Sequence, residues 1–234
     1  MINGMRVVAI IPARGGSKGI KDKNIKSFCG KPLISYTIDA AKRCSYVDEV
    51  IVSTDSSVIA NVSEEYGARV PFLRPAELAS DTSKTIDAIA YTIKELLNQN
   101  RKFDILVLLQ PTSPLRNFKN IEEALEIFID RNCSGLVSVN EVVENPILFR
   151  TIEDGQLNKL LNVTSTIRRQ DMPVYYKVNG AIYINLWDEI NIEHSFNDNC
   201  IPYVMDTNTS VDIDTIDDFF YAEKIYSELH KIDI

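Results

Sequence analysis

The sequence has 234 residues, a net charge of −8, 45% hydrophobic residues and 25% charged residues. This length suits one α/β domain, or one domain with a modest insertion, and it can bury a core without metal or disulfide cross-links. The acidic balance argues against a nucleic-acid partner and an anionic membrane surface, because both are usually bound by basic surfaces. The four cysteines are widely spaced without a C-x-x-C pair, and no signal peptide or bilayer-length apolar run is present. We therefore expect a cytoplasmic protein.

Short apolar runs alternate with amphipathic segments along the chain. Continuous β-branched runs predict buried strands, and apolar residues with helical spacing predict helices. The predicted strands cover residues 6–11, 49–53, 68–72, 104–109, 135–139 and 201–205. The predicted helices cover residues 32–44, 56–66, 84–98, 120–131 and 215–230. This alternation indicates parallel pairing through right-handed crossovers, and hence an α/β fold with a doubly wound, mostly parallel sheet.

The pattern changes after about Val143, where helix signals weaken and alternating segments become common. We predict a small β-rich dimerisation insertion over residues 144–185, and a core formed by residues 1–143 and 186–234. In a doubly wound sheet the ligand crevice lies beyond the carboxyl ends of the strands. Polar clusters follow three of the predicted strands, at residues 14–24, 53–55 and 110–116.

The first polar cluster, PARGGSKGIKDKN, places Arg14, Lys18, Lys21 and Lys23 around three glycines. Glycines let backbone N–H groups approach an anion closely, and the cations balance phosphate charge. The spacing matches neither the Walker loop nor the dinucleotide fingerprint. It predicts another kind of phosphate-binding loop, and the alternative is a solvated basic turn.

Two later clusters also carry candidate chemistry. In residues 110–116, two prolines stiffen a loop whose Gln, Thr, Ser and Arg side chains we expect to present donors and acceptors at the crevice. Asp212 and Asp214 flank one apolar residue, and in an extended segment both carboxylates can face the same magnesium ion. The alternative for this pair is an acidic start to the last helix, where it would favour the helix dipole.

Seven segments of the chain together resemble one family. In chain order they are IIPARGGSKGIKDKNI, GKPLISYTIDAA, VIVSTDS, FLRPAELASDTSKT, LLQPTSPLR, RRQDMP with NGAIYIN, and SVDIDT. They are similar to motifs of the sialic acid (acylneuraminate) cytidylyltransferases, including the CMP-legionaminic and CMP-pseudaminic acid synthetases, and the resemblance covers nearly the whole chain. It implies a Rossmann-like nucleotidyltransferase fold, CTP and a nine-carbon acidic sugar (a nonulosonic acid) as substrates, Mg²⁺ or Mn²⁺, and a homodimer.

The resemblance also implies roles for individual residues. The residues implied for the CTP triphosphate are Arg14, Ser17, Lys18, Lys23 and Asn24. Those implied for the cytidine pocket are Arg74 and Thr85, although Thr85 also reads as a helix-start residue. Those implied for the acidic sugar are Gln110, Arg169, which would hold its carboxylate, and Asn179. Asp212 and Asp214 would hold the metal and, with Arg14 and Lys23, form the catalytic group.

The implied reaction is attack of the sugar's C2 hydroxyl on the α-phosphate of CTP, with release of pyrophosphate. Ile147 and Leu148 stand where some sialic acid enzymes have a lysine, so legionaminic and pseudaminic acid stay open as substrates. A rival enzyme would activate the eight-carbon acid of lipopolysaccharide cores. A nucleotide-sensing module is disfavoured because it has no need of the acidic pair, and a dinucleotide-binding oxidoreductase is disfavoured because its fingerprint is absent.

Overall fold

The protein is described here from a computed structural model, which covers residues 1–17, 19–80 and 82–231. Strands follow the β-branched runs of the sequence. In chain order they are Val7–Pro12 (β1), Ser27–Phe28 (β2), Lys31–Pro32 (β3), Glu49–Ser53 (β4), Ile105–Leu108 (β5), Gly135–Glu141 (β6), Arg150–Glu153 (β7), Gln156–Lys159 (β8), Tyr176–Leu186 (β9) and Ile201–Val204 (β10). The α-helices are Leu33–Arg43 (α1), Ser57–Glu65 (α2), Thr85–Asn98 (α3), Phe118–Asp130 (α4) and Ile216–His230 (α5).

Six strands form the central sheet in the order β10-β6-β9-β5-β1-β4. β1 pairs in parallel with β4 and β5, and β10 pairs in parallel with β6. Only β9, among the described strands of this sheet, runs antiparallel to its neighbours β5 and β6. The prediction of a mostly parallel α/β sheet is therefore confirmed.

Helices cover both faces of this sheet, because β1 is apolar on both sides. Val7, Ala9 and Ile11 pack with residues of α1, α2 and α4 on one face. Val8 and Ile10 pack with residues of α3 on the other face. A third apolar cluster joins α5 to β2 and the start of α1. This layering fixes the carboxyl ends of β1, β4 and β5 at one edge.

The predicted strand at residues 68–72 is wrong. Only isolated bridges form there, between Ile51 and Arg69 and between Thr54 and Leu73. Pro71 lies between these bridges and has no N–H to donate, so a continuous ladder cannot form.

The predicted insertion contains two different parts. β7 and β8 form a separate hairpin, with Ile152 and Leu157 74% and 71% exposed. β9 lies instead in the middle of the central sheet, so part of the range 144–185 contributes to the core structure. The division into a core and an insertion as separate units stays a prediction. Within the described ranges, no helix combines the length and apolarity needed to cross a bilayer.

Candidate active site

A cleft of about 410 Å³ opens beyond the carboxyl ends of β1 and β5, beside the N-terminus of α3. Its walls combine residues that are far apart in the sequence. The predicted site residues that line it are Arg14, Ser17, Lys23, Asn24, Arg74, Thr85, Gln110 and Asp214. We refer to it as the first cleft. Lys18 lies outside the described residues.

The loop after β1 is held in shape by its own polar contacts. Asn24 is buried and its Nδ2 donates to the Arg14 carbonyl at 3.0 Å, which closes the loop on itself. The guanidinium of Arg14 donates from Nη1 to the Ser80 carbonyl at 2.9 Å, across the cleft. Lys23 donates from Nζ to the Ile213 carbonyl at 2.6 Å. Arg14 and Lys23 therefore line one cavity, an arrangement that suits an anion such as phosphate.

Asp55 supports this loop from the end of β4, and the sequence did not identify it as a site residue. Its Oδ1 accepts from the Gly15 N–H at 3.0 Å and lies 4.0 Å from Nη2 of Arg74. The Arg74 side chain is only 4% exposed, and its Nε has no hydrogen-bond partner. Burial lowers the pKa of Arg74, while Asp55 opposes that shift and Arg14 adds to it. The available signal was the Ser-Thr-Asp run directly after a strand.

Thr85 fits both readings of its position. It is the first residue of α3, and it is exposed on the first cleft. The helix is capped by others, since the Asp87 carboxylate accepts from the Lys84 N–H at 3.2 Å. Thr85 is therefore not needed for capping, and it lines the cleft beside the N-terminus of α3.

Asp214 lines the far side of the same cleft, and Asp212, the other member of the acidic pair, does not line it. Ile213 between them is buried, and its N–H donates to the Thr112 carbonyl at 2.9 Å. Asp214 is 78% exposed, with its Oδ1 3.7 Å from Lys23 Nζ. The pKa of Asp212 is raised chiefly by desolvation and also by Asp214, whereas the Thr112 hydroxyl and Lys23 oppose this.

The hydrogen-bonding cap of the last helix comes from other residues. The Thr215 hydroxyl accepts from the Asp218 N–H at 3.2 Å, and the Asp218 carboxylate accepts from the Thr215 N–H at 2.7 Å. Asp214 directly precedes the N-cap Thr215, so the alternative of an acidic start that favours the helix dipole stays open. Among the residues the structure describes, no group of three or more His, Cys, Asp or Glu side chains forms a metal site. Two carboxylates completed by substrate phosphates are nevertheless a sufficient set for magnesium.

A second cleft of about 510 Å³ adjoins the first and shares Lys84, Thr85 and Gln110 with it. Its other walls come from Tyr183 on β9 and from the segment 192–197. The Tyr183 hydroxyl donates to Asn197 Oδ1 at 2.9 Å, which links these two walls. Burial, with a further contribution from Asp212, raises the pKa of Tyr183 to about 12. Nothing in the sequence pointed to the segment 192–197, since it carries no motif.

Gly180 brings β9 against the junction of the two clefts. Its φ is +76°, and a Cβ at this position would lie 2.9 Å from Gln110 Oε1 and 3.7 Å from Asp212 Oδ2. The backbone conformation favours glycine here, and an added Cβ would displace the end of the Gln110 side chain. Gln110 and Asp212 are therefore neighbours, although Asp212 does not line the first cleft.

Asn179 and Arg168 line neither of the two clefts. The Asn179 amide is buried, accepts from the Ser138 hydroxyl at 2.6 Å and donates to the Ser210 hydroxyl at 3.2 Å. It lines neither cleft, so its predicted contact with the sugar stays a prediction. Arg168 forms an exposed pair with Asp171 at 2.7 Å. The side chain of Arg169 lies outside the described residues.

Two polar residues that we expected at the crevice are not there. Ser113 and Arg116 are almost fully buried, at 0% and 1% exposure. The two prolines turn the loop so that Gln110 and Thr112 face the first cleft while Ser113 and Arg116 face the interior. Gln110 and Thr112 can therefore contact a substrate in the first cleft, whereas Ser113 and Arg116 can affect it only through neighbouring residues.

Comparison with known proteins identifies relatives of the whole chain. A model of the cytidylyltransferase family matches residues 8–232. A CMP-N,N′-diacetyllegionaminic acid synthase of Legionella pneumophila is 38% identical over 229 residues, with 94% of this chain and 96% of that protein covered. A pseudaminic acid cytidylyltransferase of Campylobacter jejuni is 35% identical, with 97% of this chain and 99% of that protein covered.

Further relatives are longer or more distant. An N-acylneuraminate cytidylyltransferase of Streptococcus agalactiae is 38% identical over 93% of this chain, which spans only 52% of that protein. Among solved structures, a CMP:2-keto-3-deoxy-manno-octonic acid synthetase complexed with CTP superposes with a TM-score of 0.73. Its sequence identity is 17%, with 96% of this chain and 99% of that chain covered, so it supports the fold alone.

Proposed function

We propose that this chain, which belongs to the cytidylyltransferase family, transfers CMP from CTP to the C2 hydroxyl of a nine-carbon acidic sugar and releases pyrophosphate. Family membership makes it a nucleotidyltransferase. The named relatives act on legionaminic, pseudaminic and N-acylneuraminic acids, which are nonulosonic acids. All three stay open as the acceptor of this chain.

One observation carries the proposal: the basic loop and Asp214 of the acidic pair meet in the first cleft, where Lys23 contacts the acidic segment. Its ammonium group donates to the Ile213 carbonyl at 2.6 Å and lies 3.7 Å from the Asp214 carboxylate. Gly19 packs so closely on Asp214 that an added Cβ would overlap the Asp214 carbonyl oxygen. A phosphate-binding loop beside a pair of metal-type carboxylates is the arrangement that a triphosphate substrate needs.

Arg14 and Lys23 would bind the triphosphate, with Ser17 and Asn24 shaping the loop around it. An arginine fork fixes phosphate geometry, while a lysine supplies a point charge that can follow the leaving group. Arg74 and Thr85 would line the cytidine end of the first cleft. Lys18, one residue from Ser17, is proposed as a further phosphate contact on the resemblance alone.

The acidic pair fits a divalent cation, and cytidylyltransferases of this kind typically use one. Asp212 and Asp214 repel each other, and a cation held by both carboxylates would relieve that repulsion. We propose Mg²⁺, with Mn²⁺ as a substitute, because hard carboxylate oxygens suit both. When bound, the ion would supply charge neutralisation for the phosphates. Lys23 stays within reach of the same oxygens and balances the pair.

The second cleft is proposed as the acceptor site, with Gln110 at its junction with the nucleotide. Arg169 would hold the sugar carboxylate bidentately, and Asn179 would hydrogen-bond the sugar. In the reaction, the C2 oxygen forms a bond to the α-phosphorus as the bond to the bridging oxygen of pyrophosphate breaks, and the hydroxyl proton is released. Catalysis then depends on alignment and on charge neutralisation by Arg14 and Lys23, with no covalent enzyme intermediate.

We also propose that the chain forms a homodimer through the range 144–185. The exposed Ile152 and Leu157 on the β7–β8 hairpin support this, because isolated hairpins rarely keep such side chains in water. Replacing both by aspartate should lower the molar mass measured by light scattering from dimer to monomer. A cytoplasmic location is likewise proposed, supported by the four free cysteines.

The proposed function is tested by pyrophosphate release. The enzyme is incubated with CTP, Mg²⁺ and a panel of N-acetylneuraminic, legionaminic and pseudaminic acids, with the eight-carbon acid as comparator. We expect release to depend on both CTP and one of the nine-carbon acids, and to stop when EDTA is added. Release with the eight-carbon acid alone would favour the rival enzyme, and no release with any acid would contradict the proposal.

A further inference from the structure

Arg116 carries a positive charge into the interior of the protein without a carboxylate to balance it. Its side chain is 1% exposed, and burial alone lowers its pKa to about 9. Within the described residues, no acidic side chain bonds to it; all its acceptors are carbonyls or a hydroxyl. Because a buried charge is costly, an arginine at such a position needs a reason beyond packing.

The guanidinium group joins three separate parts of the chain. Nη2 donates to the Thr37 hydroxyl on α1 at 2.8 Å. It also lies 3.4 Å from the carbonyl oxygens of Gln110 and Ser113, in the loop after β5. Nε donates to the Ala181 carbonyl of β9 at 3.4 Å, while Nη1 has no partner. The guanidinium group reaches these acceptors through Nε and Nη2, two donors that its planarity fixes relative to each other.

The backbone acceptors belong to residues at the two clefts or directly follow such residues in the sequence. Gln110 itself lines both clefts. Ala181 follows Gly180, where an added Cβ would lie 2.9 Å from Gln110 Oε1. The same loop holds the acidic segment, since the Thr112 carbonyl accepts from the Ile213 N–H at 2.9 Å.

We propose that Arg116 is a positioning residue for the acceptor side of the reaction: it locks the Gln110 backbone against β9 so that the Gln110 side chain faces the incoming sugar. The inference rests on the proposed function. Arg116 touches no substrate itself. Its described bonds all end on α1, the loop after β5 and β9, and none reaches Arg14, Lys23 or Arg74. Its loss should therefore weaken acceptor use far more than CTP binding.

The test compares Arg116→Lys with the wild-type enzyme. Lysine keeps the charge but cannot reach all of the acceptors. We expect the acceptor KM to rise about tenfold, because a displaced Gln110 side chain would contact the bound sugar less well. The Kd for CTP, measured by calorimetry without acceptor, should stay within about twofold. An equal weakening of both, or no change in the acceptor KM, would overturn the proposal.

A second variant keeps the test decisive if Arg116→Lys does not fold. Thr37→Val removes the hydroxyl that accepts from Nη2 and also lies 3.5 Å from the Gln110 carbonyl, with almost no change of shape. A rise in the acceptor KM of about threefold with unchanged CTP affinity would support the proposal, and an unchanged acceptor KM would overturn it. Arg131→Lys, at an exposed arginine after α4, is the matched control. A wild-type enzyme inactive on every acid would instead defeat the proposed function.

Discussion

The two clefts that meet at Gln110 differ in charge and in how their walls are assembled. The first is lined by Arg14, Lys23 and Arg74 opposite Asp214. The second has a single shared cation, Lys84, among its described lining residues and is otherwise walled by β9 and the segment 192–197. In the proposed assignment, charged loops at strand ends bind the triphosphate, whereas the sugar contacts mostly uncharged groups together with Arg169 for its carboxylate. One wall of the acceptor side, the segment 192–197, carries no recognisable motif, unlike the loop after β1 and the acidic pair.

Asp214→Ala should cause the largest loss of turnover, and it tests the role of the charged first cleft. Turnover should fall by about a thousandfold, because the variant removes one of two carboxylates for the cation beside the phosphate loop. Circular dichroism should show an intact fold, since Asp214 is 78% exposed. Asp217→Ala, an exposed acid in the first turn of α5, is the control. Turnover near the wild-type value in Asp214→Ala would remove the metal role.

Gly180→Ala should damage the junction between the clefts. The added Cβ would lie 2.9 Å from Gln110 Oε1, so kcat/KM for the acceptor should fall by about a hundredfold. The positive φ of +76° should also lower the free energy of unfolding by about 1–2 kcal/mol. Gly155→Ala has the same φ but no atom within 4 Å of its Cβ. It should share the loss of stability and keep full activity; equal activity losses would show that strain alone is responsible.

Arg74→Lys should test the assignment of the first cleft to the nucleotide. Lysine cannot reproduce the arginine fork beside Asp55, so the KM for CTP should rise about tenfold while the acceptor KM stays unchanged. Arg69→Lys, whose side chain is 73% exposed, should change neither constant. Steady-state kinetics with each substrate varied in turn would measure both. A change confined to the acceptor KM would reverse the assignment of the clefts.

Tyr183→Phe should have the smallest effect, and it tests the assignment of the second cleft to the acceptor sugar. Because burial raises the pKa of Tyr183 to about 12, its hydroxyl remains protonated and donates to Asn197 across the ordinary working range of pH. Loss of that bond should raise the acceptor KM about threefold and leave CTP affinity intact. The pH profile of turnover near neutrality should keep its shape. A shifted profile would mean that the hydroxyl titrates in the reaction.

The fold was largely predictable because its strands and helices carry strong periodicity. β4 was predicted with its observed bounds, and the buried β1 followed from its continuous β-branched run. The position of β9 in the centre of the sheet was not predictable, since strand order depends on long-range packing. The strand predicted at residues 68–72 failed because Pro71 interrupts pairing.

The candidate site, like the fold, could be predicted from the sequence only in part. The loop after β1 was predicted from its glycines, its cations and its position at a strand end, whereas the metal role of the acidic pair depended on the resemblance and stays a prediction. The sequence did not reveal the contacts made by Asp55, Tyr183 and Arg116. These contacts depend on which residues the fold brings next to each side chain. Arg116 in particular looked like a crevice donor, and only its burial reveals a backbone-holding role.

The central claim is that CMP, rather than a phosphate, passes to an acidic sugar held beside the CTP site. The most direct measurement supplies CTP labelled at the α-phosphate, or separately at the γ-phosphate, together with the acid that supports pyrophosphate release. We predict that the α-label appears in the sugar product and the γ-label in pyrophosphate. Transfer of the γ-label to the sugar, or release of both labels without a labelled sugar, would contradict the account.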